Sequence, residues 1–80
     1  MRPRKHRIGF LGAGNMATAL AGGMISSGVC KPSDILASDT DVSKLEAIKK
    51  SLRVDVSVSN ARLISSSKTI LIAVKPQQAR

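Results

Sequence analysis

The stretch Ile8-Gly9-Phe10-Leu11-Gly12-Ala13-Gly14-Asn15-Met16-Ala17 decides how this chain folds. A short apolar run enters a turn built on Gly12 and Gly14. An alanine-rich segment with apolar residues at helical spacing leaves that turn and runs to about Gly28. Strand, glycine turn and helix in this order are the fingerprint of a dinucleotide-binding unit. The first glycine turns the chain sharply off the strand, the second lets backbone N–H groups approach a pyrophosphate, and a small third residue, here Ala17, lets helix and strand pack closely. The helix N-terminus adds unpaired N–H groups and a partial positive charge.

Outward from the turn, strand and helix patterns alternate. Arg7 to Leu11 reads as a buried first strand. In the first helix Leu20, Met24 and Ile25 are the expected bulky core positions, and Gly28 is its stop. Gly22-Gly23 in the helix interior implies either a closely packed neighbour or simple tolerance. After a loop at Lys31 to Asp34, Ile35-Leu36-Ala37-Ser38 reads as the second strand. Asp39, Thr40 and Asp41 offer caps for a second helix, with Val42, Leu45, Ile48 and Leu52 as its apolar stripe and Lys44, Lys49 and Lys50 in solvent. Val54-Asp55-Val56 is a third strand whose contact Val58 extends, and Asn60 caps a short helix. Thr69 to Val74 is a fourth strand, apolar without alternation, as when helices cover both faces. Ser65-Ser66-Ser67 is the one low-complexity stretch. Right-handed crossovers in a βαβαβαβ chain predict an α/β fold, a Rossmann-type open parallel sheet in the order 3-2-1-4.

Composition sets the frame around that fold. Eighty residues make one small domain, and the chain stops soon after its last apolar segment, so it reads as a truncated dinucleotide-binding domain over 8–80 behind a basic, disordered leader over 1–7. Four of the 13 basic side chains, Arg2, Arg4, Lys5 and Arg7, sit in that leader, and His6 among them reads as solvated. No aromatic side chain interleaves with these charges to stack on bases, so nucleic acid is not the expected partner. The leader lacks a secretory core and is very short for a transit peptide, and no apolar run is long enough to span a membrane. The single Cys30 excludes an internal disulfide, suits a reducing compartment and reads as a loop thiol, and the one histidine cannot build a metal site alone. A cytoplasmic protein is expected, with a mitochondrial location as the alternative.

Ligands of open α/β sheets bind at the carboxyl edge of the strands, at the switch point. The glycine turn, Ser38 to Asp41, the region of Asn60, and Ala73 to Pro76 all reach that edge. Asp39 lies 22 positions beyond Ala17, where a carboxylate accepts hydrogen bonds from an adenosine ribose and favours NAD. Ser38, Thr40 and Lys44 favour NADP instead, because hydroxyls and an ammonium hold a 2′-phosphate. The alternative is that Asp39 and Asp41 serve only as helix caps, and the cofactor stays open between NADP and NAD.

Gly9 to Ala17, Ala37-Ser38-Asp39, Asn60 and above all Ala73-Val74-Lys75-Pro76-Gln77 resemble the amino-terminal domain of the pyrroline-5-carboxylate reductases, in register over residues 8–78. The resemblance implies reduction of 1-pyrroline-5-carboxylate to L-proline with NAD(P)H. It implies that Leu11, Gly12, Ala13, Gly14, Asn15 and Met16 hold the pyrophosphate, that Asp39 and Asp41 sit at the adenosine ribose with Ser38 beside them, and that Asn60, Ala73, Val74, Lys75 and Pro76 line the rest of the groove. Many members carry Ser or Asn at the place of Asp39 and Arg at the place of Thr40. Such enzymes grip substrate with a helical carboxyl-terminal domain that also forms the dimer. No catalytic residue is therefore assigned within these 80 residues, and Lys75 reads as a cofactor contact shaped by Pro76. The alternatives are a stand-alone dinucleotide-binding module without turnover and a related hydroxy-acid dehydrogenase.

Overall fold

A computed structural model describes residues 5–73 of the chain. Its elements run β1 (His6–Leu11), α1 (Asn15–Ser26), a single 3-10 turn (Pro32–Asp34), β2 (Ile35–Ser38), α2 (Val42–Leu52), β3 (Asp55–Ser57), α3 (Asn60–Ser66) and β4 (Ser67–Ile72). The four strands are parallel and lie in the order β3-β2-β1-β4, as the alternating pattern predicts. Phe10 pairs with Ala37 on one side and Leu71 on the other, so β1 is central. One apolar cluster joins Phe10, Ile35 and Ala37 of the sheet to Ala17 and Ala21 of α1 and to Leu45 and Ile48 of α2. Side chains alternate along a strand, so Gly9 points to the opposite face, where the buried Leu63 of α3 packs. Chain direction and crossover hand thus set α1 and α2 on one face and α3 on the other.

Close packing reverses the expectation for α1. Its fully buried positions are Ala17 and Ala21, whereas Leu20 is 44% exposed and Met24 and Ile25 are half-buried. A helix drawn against its strand by the glycine turn admits only small side chains at the contact, and the bulky ones move to the rim. Gly22 and Gly23 mark tolerance, because a Cβ on Gly22 would make an ordinary 3.7 Å contact with Leu52 and one on Gly23 would meet nothing within 4 Å. Gly28 does end the helix region: its N–H donates to Ile25 and that of Val29 to Met24, a Schellman closure. Cys30 follows in the loop, as expected, with its side chain buried in the core.

His6 is not a solvated leader residue. It begins β1 and is 1% exposed, with Nε2 at 2.7 Å from Asp55 Oδ2 and Nδ1 at 3.2 Å from Ser66 Oγ. Arg7 donates to the carbonyl of Val29 at 2.9 Å, so the ordered domain takes in residues assigned to the leader. A polar ring is buried here because both its nitrogens find partners.

Smaller departures fall at the ends of the elements. Val42 stands at the entry to α2 and is exposed, leaving Leu45, Ile48 and Leu52 as the packed stripe. Val54 is buried just ahead of β3, while Val58 lies beyond it and is exposed, because the chain leaves the sheet at Ser57. Ser59, not Asn60, caps α3 by accepting from the N–H of Arg62. The serine run is no linker: Ser65 and Ser66 complete α3, with the Ser65 hydroxyl donating to the Arg62 carbonyl, and Ser67 opens β4.

Within the described residues β4 is an edge strand rather than a covered one. Ile70 and Ile72 pair with Gly9 and Leu11 and so share the α3 face, yet α3 is only seven residues long and leaves Ile72 69% exposed. Val74, Lys75 and Pro76 lie outside the described residues.

Candidate cofactor site

The strand ends converge at the carboxyl edge through backbone bonds. The N–H of Gly12 donates to the carbonyl of Ser38 at 2.8 Å, and that of Ala73 donates to the carbonyl of Leu11 at 2.8 Å. Gly12 reaches its carbonyl partner with φ at +112°, a conformation open to glycine. The chain then enters α1, whose N-cap Gly14 has no side-chain cap and whose first turn carries no acidic residue. The first intrahelical N–H is that of Thr18, donating to Gly14, so the N–H groups of Asn15, Met16 and Ala17 stand at an unblocked positive helix end.

Against this end lies a groove of about 250 Å³ lined by Gly12, Ala13, Gly14, Asn15, Met16, Thr18, Asp39, Lys44, Ala47 and Ala73. Its volume is below that of a typical whole-ligand pocket, about 300–1,000 Å³, and suits the phosphate and ribose portion of a longer molecule. Gly14 gives it an open floor, since a Cβ there would meet only the Lys44 ammonium, at 4.0 Å. The structure therefore fits a bound phosphate: a bare helix N-terminus, a side-chain-free turn and a cation share one concavity.

Seven of the expected site residues line this groove together: Gly12, Ala13, Gly14, Asn15, Met16, Asp39 and Ala73. Leu11, Ser38 and Asn60 are not part of its lining. Ser38 is fully buried and its hydroxyl donates to Asn60 Oδ1 at 2.9 Å, tying the end of β2 to the start of α3. Asp39 is not a helix cap. It accepts from the N–H of Ala13 at 3.0 Å and of Asp41 at 2.9 Å, bridging the glycine turn to the start of α2. Asp41 is the cap, accepting from the N–H groups of Ser43 and Lys44 and from the Ser43 hydroxyl at 2.6 Å.

Lys44, named from the sequence both as a solvated residue and as a cation able to hold a phosphate, lines the groove, as do Thr18 and Ala47, which had not been read as groove residues. Lys44 and Ala47 share a face of α2 one turn apart.

The Ser43 hydroxyl holds the Asp41 carboxyl below its ordinary value of 3.8, helped by the two backbone donors. A depressed folded value means that the cap is fully formed above the unfolded-state value and is lost as pH falls through the lower folded one. The amide resonances of Ser43 and Lys44 are expected to titrate together with a midpoint below 3.8. A midpoint at or above that value would show that the cap does not form in solution.

An open parallel sheet with a glycine turn at its switch point and a phosphate-sized groove before a bare helix end defines a dinucleotide-binding domain. The chain belongs to the family described as NADP oxidoreductase, coenzyme F420-dependent, which matches residues 7–80. Among its relatives are the pyrroline-5-carboxylate reductase of Methanosarcina acetivorans, 41% identical over 71 residues, and pyrroline-5-carboxylate reductase 3 of Danio rerio, 43% identical over 70 residues. These alignments take in 89% and 88% of this chain but 26% and 24% of the relatives. A solved pyrroline-5-carboxylate reductase from Coxiella burnetii superposes with a TM-score of 0.80 at 30% identity, covering 92% of this chain and 27% of that one. The chain thus spans about a quarter of the length of the proteins it resembles.

Proposed function

We propose that this chain is the cofactor-binding part of an NAD(P)H-dependent reductase that converts 1-pyrroline-5-carboxylate to L-proline. The groove at the uncapped end of α1 is the observation that carries the reading, and the relatives' shared name supplies the substrate class. In this reading the N–H groups of Asn15 and Met16 meet the pyrophosphate over Gly14, with Leu11, Gly12 and Ala13 shaping the turn. Ser38 and Asn60 fix the far side of the edge, and Asp39 lies at the adenosine ribose. Asp41 serves that region indirectly, by fixing the start of α2. Ala73 lines the groove, and Val74, Lys75 and Pro76 are further cofactor contacts in this reading. The bound dihydronicotinamide supplies the hydride.

The chain's own task is positional: it would hold the cofactor by its phosphates and ribose so that the reduced ring faces the electrophilic carbon of a protonated cyclic imine. Substrate-gripping residues, and the contacts that make a homo-oligomer, are assigned to the part of the relatives' length that these 80 residues do not match. The 80 residues alone are expected to bind without turnover. A cytoplasmic setting suits such an enzyme.

The test replaces the matching quarter of the Methanosarcina acetivorans relative with residues 8–80 of this chain. The chimera is expected to oxidise NADPH or NADH only when 1-pyrroline-5-carboxylate is added. A folded chimera that binds cofactor but leaves that imine untouched would sink the assignment.

A further inference from the structure

Away from the cofactor groove, α2 carries a second set of charges. Glu46, Lys49, Lys50 and Arg53 recur at i, i+3, i+4 and i+7, so they form one stripe along the helix. It is neither the packed stripe of Leu45 and Ile48 nor the face of Lys44 and Ala47. Together with Val54 and Asp55 at the entry to β3, this stripe lines a cavity of about 500 Å³, within the range of about 300–1,000 Å³ that holds small ligands. The strands are parallel and the cofactor groove lies at their carboxyl ends, so this cavity stands at the opposite, amino edge of the sheet.

The charge there exceeds what the fold requires. A helix C-terminus holds about half a negative charge, which a single cation more than balances. Here Lys49, Lys50 and Arg53 are all exposed, and none of them forms an ion pair with a described residue. Of the two acids in the lining, Asp55 is already engaged by His6 Nε2 at 2.7 Å and by Lys5 Nζ at 3.9 Å, which blunts its repulsion of an incoming anion. Glu46 alone opposes the three cations, leaving a surplus of roughly one and a half positive charges once the helix end is counted. Arg53 closes α2 with φ at +63°, a conformation that glycine takes without strain. What arginine adds at that corner is a planar fork of N–H donors.

We propose that this cavity binds a small oligophosphate, a linear chain of two or three phosphate groups, either free or carried by a nucleotide. Ammonium and guanidinium groups each form charge-assisted hydrogen bonds with phosphate oxygens. The three cations span roughly 6 Å of helix axis, a reach suited to a short phosphate chain. A nucleic acid backbone calls instead for cations arrayed along many phosphates.

The experiment titrates the 80-residue chain with sodium tripolyphosphate and, separately, with ATP at matched ionic strength, followed by backbone amide NMR. Saturable shifts are expected at Lys49 to Asp55 with a Kd of about 1 mM or tighter. Joint replacement of Lys49→Gln and Arg53→Gln should weaken that response by about tenfold or more, with shifts at Gly12 to Met16 unchanged. Tighter binding of ATP than of tripolyphosphate at these amides would make a nucleotide the ligand, and equal affinity would make it the phosphate chain. Shifts confined to Gly12 to Met16 would send the phosphates to the cofactor groove alone and overturn the proposal. So would a response at Lys49 to Asp55 that never saturates, or an affinity that the double replacement leaves intact. A short DNA duplex that binds these amides more tightly than tripolyphosphate at equal phosphate concentration would also overturn it, by assigning the stripe to a nucleic acid backbone.

Discussion

Gly9→Ala is expected to lower the stability of this domain by about 2–3 kcal/mol, enough to abolish a cooperative transition in so small a fold. Gly9 lies in the central strand, paired with Leu36 on one side and Ile70 on the other, so its backbone cannot retreat without breaking two ladders. A Cβ there would stand 2.7 Å from Leu63 Cδ1 and 2.9 Å from Ser67 Cβ, and closer still to the Ser67 hydroxyl. Leu63 is fully buried and carries α3, so its displacement would lift the helix off the sheet. Gly23→Ala is the matched control, since the added methyl meets nothing within 4 Å. In the interior of α1 that change should stabilise by up to about 1 kcal/mol through helix propensity. Urea unfolding followed by far-ultraviolet circular dichroism reads both, because the chain has neither Trp nor Tyr. A Gly9→Ala midpoint equal to that of the unsubstituted chain would mean that α3 does not pack as described.

The contrast between these glycines shows what the sequence could disclose. Strand order and the place of the glycine turn were legible, because both follow from alternation, chain direction and crossover hand, which are local or general rules. Gly9 was not legible as a packing residue, because the atoms that forbid a side chain there belong to residues 63 and 67. His6 failed for the same reason: it looked like part of a charged arm, and the partners that let it be buried, Asp55 and Ser66, lie 49 and 60 positions away. The α1 core was misread because hydrophobicity nominates Leu20 and Met24, whereas distance to the sheet selects Ala17 and Ala21.

The groove divides along the same line. Its floor, Gly12 to Met16, is a contiguous motif and could be read directly. Its wall is legible only in part, at Lys44, because Ala47 reaches it only once α2 lies beside α1. Asp39, nominated from spacing as a ribose contact or a helix cap, lines the groove, and the bond it accepts from Ala13 is a role that spacing does not reveal.

Gly12→Ala is expected to weaken NADPH binding by at least about tenfold and to destabilise the domain by about 1–3 kcal/mol as well. At φ of +112° a side chain is strained, and the turn can relieve that strain only by rotating. Rotation would break the 2.8 Å bond from the Gly12 N–H to Ser38 and swing the Ala13 N–H away from Asp39, so turn and brace would loosen together. Gly14→Ala separates the two effects. Gly14 has φ of −85°, which alanine adopts, and a Cβ there approaches only the movable Lys44 ammonium at 4.0 Å. Its fold should survive, while the methyl stands where a pyrophosphate must touch backbone, so affinity should fall by about tenfold with an unchanged unfolding midpoint. Amide NMR titration beside urea unfolding reads each variant on both axes. If Gly14→Ala binds NADPH as tightly as the unsubstituted chain, the phosphates do not lie over this turn, and the uncapped end of α1 is not what holds them.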